Sequence, residues 1–340
     1  MKVLRQVKVP TGDILVVQGQ YGKLELLSIG DYGKEVNLKC DALGLMDNIE
    51  KVEHQTLLPL TEKWVITVST QYSCFINCSF CDVPSVNQMP LNASIKDLVD
   101  QVIIGMQLHP EIEQTDRLNL HYARMGEPMF NMDNVVYATK LLTTYLGNKY
   151  KLHPVVSTMM PRAISTFKLK EYVFDWIHDI KNTRMKGEAG FQISINSTDE
   201  KERREMFSGN AHSLSEISRV MRMVFHLNGG YLSGRKITLN FAVADWEINP
   251  DVLLRHFSPD KYIIKLTPMH KTVKAIENGV ETQGEYDTIY PYETHEEELK
   301  KAGYDVLVFV ASKEEDLGRI TCGNAILSGT MPTVKHEEIL

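Results

Sequence analysis

From Trp64 onward the chain repeats one pattern. A short run of β-branched and aromatic residues is followed by a polar loop and then by apolar residues at helical spacing. Residues 64–70 predict the first strand of this series, and residues 94–106 the first helix, with Ser94 at the N-cap position. Residues 117–123 predict a second strand, followed by a helix from about Asn134 to Leu146. Residues 152–158 form the third strand, and Pro161 would open the helix after it, because proline suits the first helical turn. The fourth strand, residues 189–196, leads through a polar loop to a helix over residues 213–226. A fifth strand at 236–243 precedes a short helix near 251–256, and a sixth at 262–267 closes the series. The tail adds a helix (295–302), a strand (305–310) and a loop containing Cys322. The charged run at 199–205 reads as a solvated helix start.

Six strands alternating with helices define an α/β chain with a parallel sheet and right-handed crossovers. Either an open doubly wound sheet or an incomplete barrel satisfies that pattern. Before it, residues 1–60 read as a small β-rich extension. Its runs at 13–20 and 23–29 are separated by a hairpin at Gln20–Gly22, and Gly30–Gly33 makes another turn. The expected division is therefore an extension over 1–60 and a main domain over 61–340.

Composition adds exclusions. Of 340 residues, 43% are hydrophobic and 24% charged, as in ordinary globular proteins. No apolar run approaches membrane-spanning length, so no membrane partner is expected. The first eight residues lack an apolar signal core, and five cysteines with three clustered do not form a secreted disulfide framework. A cytoplasmic location follows. The net charge of −7 gives no global basic field for non-specific nucleic-acid binding.

The cluster itself is Cys74-x3-Cys78-x2-Cys81. Thiolates this close together are ligands for a soft metal centre such as a cubane iron–sulfur cluster. No fourth cysteine lies nearby, so one iron corner would accept a non-protein ligand. A structural zinc site completed by a distant Cys or His is the alternative. Cys40, standing alone in the extension, reads as a buried structural thiol.

Active sites of parallel α/β folds form at the carboxyl ends of the strands. Unusual residues recur there: the cysteine loop, Gly126-Glu127-Pro128, Ser157, Ser194-Ile195-Asn196 and His270. Glycine admits a ligand close to the backbone, and acceptors beside it can hold an ammonium group. An amino-acid-like ligand chelating the exposed iron fits, and S-adenosylmethionine (SAM) is the natural candidate.

With these motifs the chain resembles the radical SAM enzymes. Gln71–Cys74, Met125–Asn131, Val156–Thr158, Ile193–Asn196 and Thr321–Asn324 occur in the order and spacing of the RlmN/Cfr family of ribosomal RNA adenine methyltransferases. Lys51-Val52-Glu53 is similar to that family's segment bearing a catalytic glutamate. The resemblance implies a partial (βα)6 radical SAM barrel with a [4Fe-4S] cluster on Cys74, Cys78 and Cys81. SAM would be held by Gly126, Glu127, Ser157, Ser194, Ile195, Asn196 and His270. It further implies that one SAM methylates Cys322, and that a 5′-deoxyadenosyl radical from a second activates that methyl for addition to an sp2 carbon. Glu53 would act as general base. An adenine-containing RNA or nucleotide is the implied substrate, and a flavodoxin or ferredoxin the implied electron donor.

Three departures stand out. Thr67 occupies the position, seven residues before Cys74, where the family carries a second cysteine that releases product through a disulfide. His270 replaces an Asn, and the family's helical N-terminal domain gives way to the β-rich extension. A different radical reaction on a small molecule, nucleotide or peptide, and a non-catalytic zinc-binding or interaction protein, are the other readings.

Overall fold

The computed structural model describes residues 1–31, 38–40, 57–281, 291–311 and 313–339. Three strands open it as an antiparallel meander: β1 (Lys2–Val9), β2 (Gly12–Gln18) and β3 (Lys23–Ile29). The short β4 (Leu38–Cys40) follows, and then the alternating series. This comprises β5 (Trp64–Val68), α1 (Ile95–Gln107), β6 (Thr115–Tyr122), α2 (Met132–Leu146), β7 (Tyr150–Thr158) and α3 (Thr166–Asp175). It continues through β8 (Gly190–Ser194), α4 (Glu200–Met206), α5 (Leu214–Leu227), β9 (Ile237–Val243), α6 (Pro250–His256) and β10 (Tyr262–Pro268). The tail holds α7 (Val273–Glu277), α8 (Tyr292–Lys301), β11 (Asp305–Val310), α9 (Lys313–Leu317) and β12 (Glu337–Glu338).

Among the described residues all twelve strands join one sheet, in the order β12-β1-β2-β3-β5-β6-β7-β8-β9-β10-β11-β4. The block from β5 to β11 is parallel and strictly sequential. That order decides between the two architectures the sequence allows. A doubly wound sheet reverses its strand order at a switch point. Sequential right-handed crossovers instead put the helices on one face and curl the sheet around the other. The curl does not close on itself, since β5 pairs with β3 and β11 with β4. The result is a partial barrel, with a seventh parallel strand, β11, beyond the six.

Side-chain alternation follows this geometry. Trp64, Ile66 and Val68 of β5, and Leu118, Leu120 and Tyr122 of β6, are fully buried. The alternate positions Thr67, His121, Val155, Ser157, Gln192 and Ser194 are half-buried. The first set fills the dry layer under the helices and the second lines the barrel interior.

Two local expectations change. The helix after β7 begins at Thr166, capped by Ser165, whose hydroxyl accepts from the Lys168 amide at 3.3 Å. Pro161 sits instead in a turn bridged to Ala211, where Met160 takes a positive φ that no helix start allows. The charged run at 199–205 does start a helix, but Arg203 within it is only 1% exposed. Its guanidinium donates to the carbonyls of Ile195 and His212, so this charge serves the interior rather than solvent.

One buried ion pair joins remote parts of the chain. Glu25 on β3 and Arg124 after β6 have side chains 0% and 2% exposed. Arg124 Nε donates to Glu25 Oε1 at 2.8 Å, and its Nη2 donates to the Arg319 carbonyl at 2.8 Å. Glu25 also accepts from the amides of Ile326 (3.2 Å) and Leu327 (3.0 Å). Removing one partner of such a pair strands the other charge in the core, at about 3–5 kcal/mol. Arg124→Met should therefore lower unfolding stability by about that amount in urea titration. The double variant Glu25→Leu/Arg124→Met should recover only part of it, because the Ile326 and Leu327 amides and the Arg319 carbonyl lose their partners.

Candidate functional site

The carboxyl ends of β5 to β10 converge on one rim. At its base the cysteine loop is tied to the loop after β6. The amides of Thr70 and Gln71 donate to the Met125 carbonyl at 2.8 and 3.2 Å, and the Glu127 amide donates to Gln71 Oε1 at 2.9 Å. Gly126 is required by this contact. Its φ is +94°, and a Cβ there would lie 2.6 Å from that of Gln71.

Cys74, Cys78 and Cys81 are half-buried, unpaired thiols. Burial pushes Cys74 and Cys81 up to about 12 and Cys78 well above its ordinary range. Cys74 and Cys81 add to the rise at Cys78 by mutual repulsion, and Glu127 adds to that at Cys74 and Cys78. The three would gain most from a positively charged centre, because coordination deprotonates a thiol outright. Among the described residues no three His, Cys, Asp or Glu side chains are grouped to hold a single metal ion. A cubane takes one thiolate at each of three iron corners, so the donor set fits that group.

Glu127 is buried, and its carboxylate is occupied. It accepts from the amides of Met129 (3.0 Å) and Met159 (3.1 Å) and bonds Thr158, while burial lifts its pKa to about 7. The side chain thus fastens the β6 loop to the end of β7. Ser157 and Ser194 point from β7 and β8 to the interior side. Asn196 has φ +60°; its amide and that of Ile195 donate to the Asn240 carbonyl, and its Oδ1 accepts from the Ala242 amide at 3.0 Å.

Two residues here escape the sequence reading. Asn240, paired with Ser194 across the sheet, keeps a buried Oδ1 without a hydrogen-bond partner. Arg203 fixes the carbonyl of Ile195 from behind. Asn240 is a lone polar amide in the middle of an otherwise β-forming run and could have been found from that; the burial of Arg203 carries no local signal.

The tail brings Cys322, an exposed thiol, to the same rim. The Gly323 carbonyl accepts from the Asp82 amide at 2.8 Å, and Gly323 itself (φ +85°) stands against Phe80. Cys322 is close enough to Cys81 to contribute to its raised pKa. Asp316 anchors the loop: its Oδ1 accepts from Thr321 at 2.8 Å and lies 3.3 Å from His270 Nδ1. Asn324 donates to Thr321 (2.8 Å) and accepts from Arg319 (2.9 Å). Thr67 lies on the interior side beside His121 of β6. Glu53 lies outside the described residues, and of Cys40 only the backbone, paired in β4, is described.

Two outcomes follow. Gly126→Ala should destabilise the fold by roughly 1–3 kcal/mol in urea unfolding. Gly209→Ala, also at positive φ but with nothing within 4 Å of the new Cβ, should cost less. His121 is held neutral by burial and by Lys265, Arg235, Lys63 and Arg117, with its pKa lowered to about 3. The unfolded chain binds this proton near the ordinary histidine value, so its contribution is present above that value and is lost as pH falls toward 3. Unfolding measured from pH 7 downward should show a smaller loss in His121→Asn than in the wild type.

No protein-family model matches the chain. It is similar to the dual-specificity RNA methyltransferase RlmN of Helicobacter hepaticus, 31% identical over 98 residues, covering 29% of this chain and 26% of that protein. The RlmN of Campylobacter lari is 33% identical over 104 residues (31% and 29% coverage). A probable RlmN of Dictyoglomus thermophilum is 31% identical over 145 residues (41% and 39%). The matched stretches thus span less than half the length of these relatives. Among solved structures, a radical SAM methyltransferase from Sphaerobacter thermophilus superposes with a TM-score of 0.65 at 16% identity, over 95% of this chain and 80% of its own. The chain shares that fold.

Proposed function

We propose that this protein is a radical SAM methyltransferase acting through Cys322. The observation that carries the reading is the docking of the Cys322 loop on the cysteine loop, through the 2.8 Å bond from the Asp82 amide to the Gly323 carbonyl. It joins a lone exposed thiol to three thiols suited to a [4Fe-4S] cluster, as a methyl-carrying cysteine beside a radical source requires. The local similarity to RlmN relatives and the shared fold support the same reading.

Cys74, Cys78 and Cys81 would hold three corners of the cluster as thiolates. Main-chain groups at Gly126–Glu127, the hydroxyls of Ser157 and Ser194, and the Ile195–Asn196 turn would orient SAM. Together the cluster and SAM, when bound, supply an electron and a carbon-centred radical. Cys322 would accept a methyl by displacement: its sulfur–carbon bond forms as the sulfonium–carbon bond of SAM breaks, and the thiol proton leaves to solvent. Asp316, Thr321 and His270 would hold the loop during that transfer. Glu53 would remove the proton from the methylated carbon. Threonine forms no disulfide, so Thr67 excludes the family's release route at that position.

An adenine in RNA or in a nucleotide would be the acceptor. A second reading, a different radical reaction on a small molecule, is favoured by Thr67 itself.

Anaerobic reconstitution with iron and sulfide, followed by intact-mass analysis and measurement of SAM cleavage after incubation with SAM and dithionite as the one-electron reductant, tests the assignment. The wild type should show visible cluster absorbance and gain one methyl on Cys322. Cys78→Ala should lose the absorbance. Cys322→Ala should keep the cluster and SAM cleavage but gain no methyl. SAM cleavage with an unmodified Cys322 in the wild type would favour the second reading.

A further inference from the structure

The barrel interior below the rim is a cavity of about 420 Å³, within the roughly 300–1,000 Å³ typical of small-molecule sites. It runs from the amino ends of the strands, at Arg117 and Arg235, up to His121, Gln192 and Lys265. Its upper end adjoins the rim, because Lys265 neighbours Asn240 and Asn240 neighbours Ser194.

The cavity is cationic in a chain of net charge −7. Arg117, Arg235, Lys236 and Lys265 all line it. Among the described residues Lys236 and Asp305 pair at 2.7 Å, and Glu188, whose neighbour His153 at 3.2 Å is held neutral, partly offsets Arg235, so the positive surplus is smaller than the four cations alone. Arg117 Nε donates to Asn119 Oδ1 at 2.9 Å, a bond that does not use its two Nη groups. Burial lowers the pKa of Arg235, with Arg117 near enough to add to the fall and Glu188 opposing it, and burial with the surrounding cations keeps His121 neutral. Gathering like charges around an aqueous cavity is costly unless an anion shares them. Paired guanidinium forks suit the oxygens of a phosphate. Farther in, the Asn119 and Gln192 amides also line the cavity, beside the Phe309 ring over which Lys265 Nζ sits 5.1 Å from the centroid. Side-chain amides of this kind recognise the edge of a heterocyclic base.

We infer that the barrel interior binds a small nucleotide-type molecule. Arg117 and Arg235 hold its phosphate at the amino-end mouth, and its base points toward the rim. That this molecule is the substrate rests on the function proposed above; the anion site itself does not. Threading a phosphate through the mouth suits a free nucleotide rather than a nucleotide within an RNA chain.

Calorimetric titration of the full, cluster-reconstituted protein with AMP, adenosine and inorganic phosphate tests this, with cluster absorbance recorded on the same samples. AMP should bind at one saturable site, adenosine weaker by roughly tenfold or more, and inorganic phosphate should compete with AMP. Arg117→Gln/Arg235→Gln should lose AMP affinity by at least as much, with unchanged circular dichroism and cluster content. Equal affinities for AMP and adenosine in the wild type would overturn the inference whether or not the variant folds. So would undiminished AMP binding by the variant, or binding of a single-stranded RNA oligonucleotide with none of AMP. AMP binding without cluster absorbance would leave this site standing and sink the enzyme reading. A cluster and SAM cleavage without AMP binding would do the reverse.

Discussion

The Glu25–Arg124 pair is the constraint on which the rest of the structure depends. A carboxylate and a guanidinium that are 0% and 2% exposed must find all their partners inside the protein. They find them in three places far apart in the chain: the opening meander, the loop after β6, and the tail from Arg319 to Leu327. Any arrangement that moves the tail away leaves both groups under-satisfied. The exposed Cys322 is thereby delivered to the cysteine loop by a bond network that contains neither. The opening strands consequently act as a brace for the rim, and they extend the barrel sheet rather than standing apart from it.

A second constraint is that each barrel strand has two different faces. Residues such as Ile66, Leu120 and Leu239 are dry because helices cover them. Their neighbours Thr67, His121 and Thr238 face the interior and remain polar. Polarity there has two levels. At the rim it consists of hydroxyls, amides and turns: Gly126 and Asn196 at positive φ, and the unpartnered Asn240 oxygen. Glycine takes such a φ freely, whereas Asn196 is held in it by its bonds to Asn240 and Ala242. Lower in the barrel, polarity becomes net positive charge. The overall acidity of the chain conceals that local field, because long-range charge and the potential inside a low-dielectric cavity are separate quantities.

The rim loops also hold one another. Thr272 donates to the Phe80 carbonyl at 2.9 Å, and Asp82 accepts from the amides of Val273 and Lys274. The segment after β10 therefore grips the cysteine loop at Phe80 and Asp82, as Gly126 and Glu127 do at Gln71. His270 enters this arrangement through Asp316, the residue that also anchors Thr321. His270 is thus linked to the Cys322 loop.

The sequence by itself determined what depends on neighbours along the chain. Alternating strand and helix periods set the elements, Ser94 and Ser213 set their caps, and the spacing of Cys74, Cys78 and Cys81 put three thiols in one loop. The rule that parallel sheets gather function at strand ends then brought Gly126, Ser157, Ser194 and His270 to one rim. Tertiary structure decided what depends on partners remote in sequence. It turned Arg203 inward, because the carbonyls of Ile195 and His212 needed a donor there, and it started α3 at Thr166 because Pro161 pairs with Ala211. It made the sheet a partial barrel through the order of its strands, and it matched Glu25 with Arg124 across 99 residues. Local periodicity encodes which face of an element is apolar. It holds no record of which buried charge will answer another, since that is settled only when the faces meet.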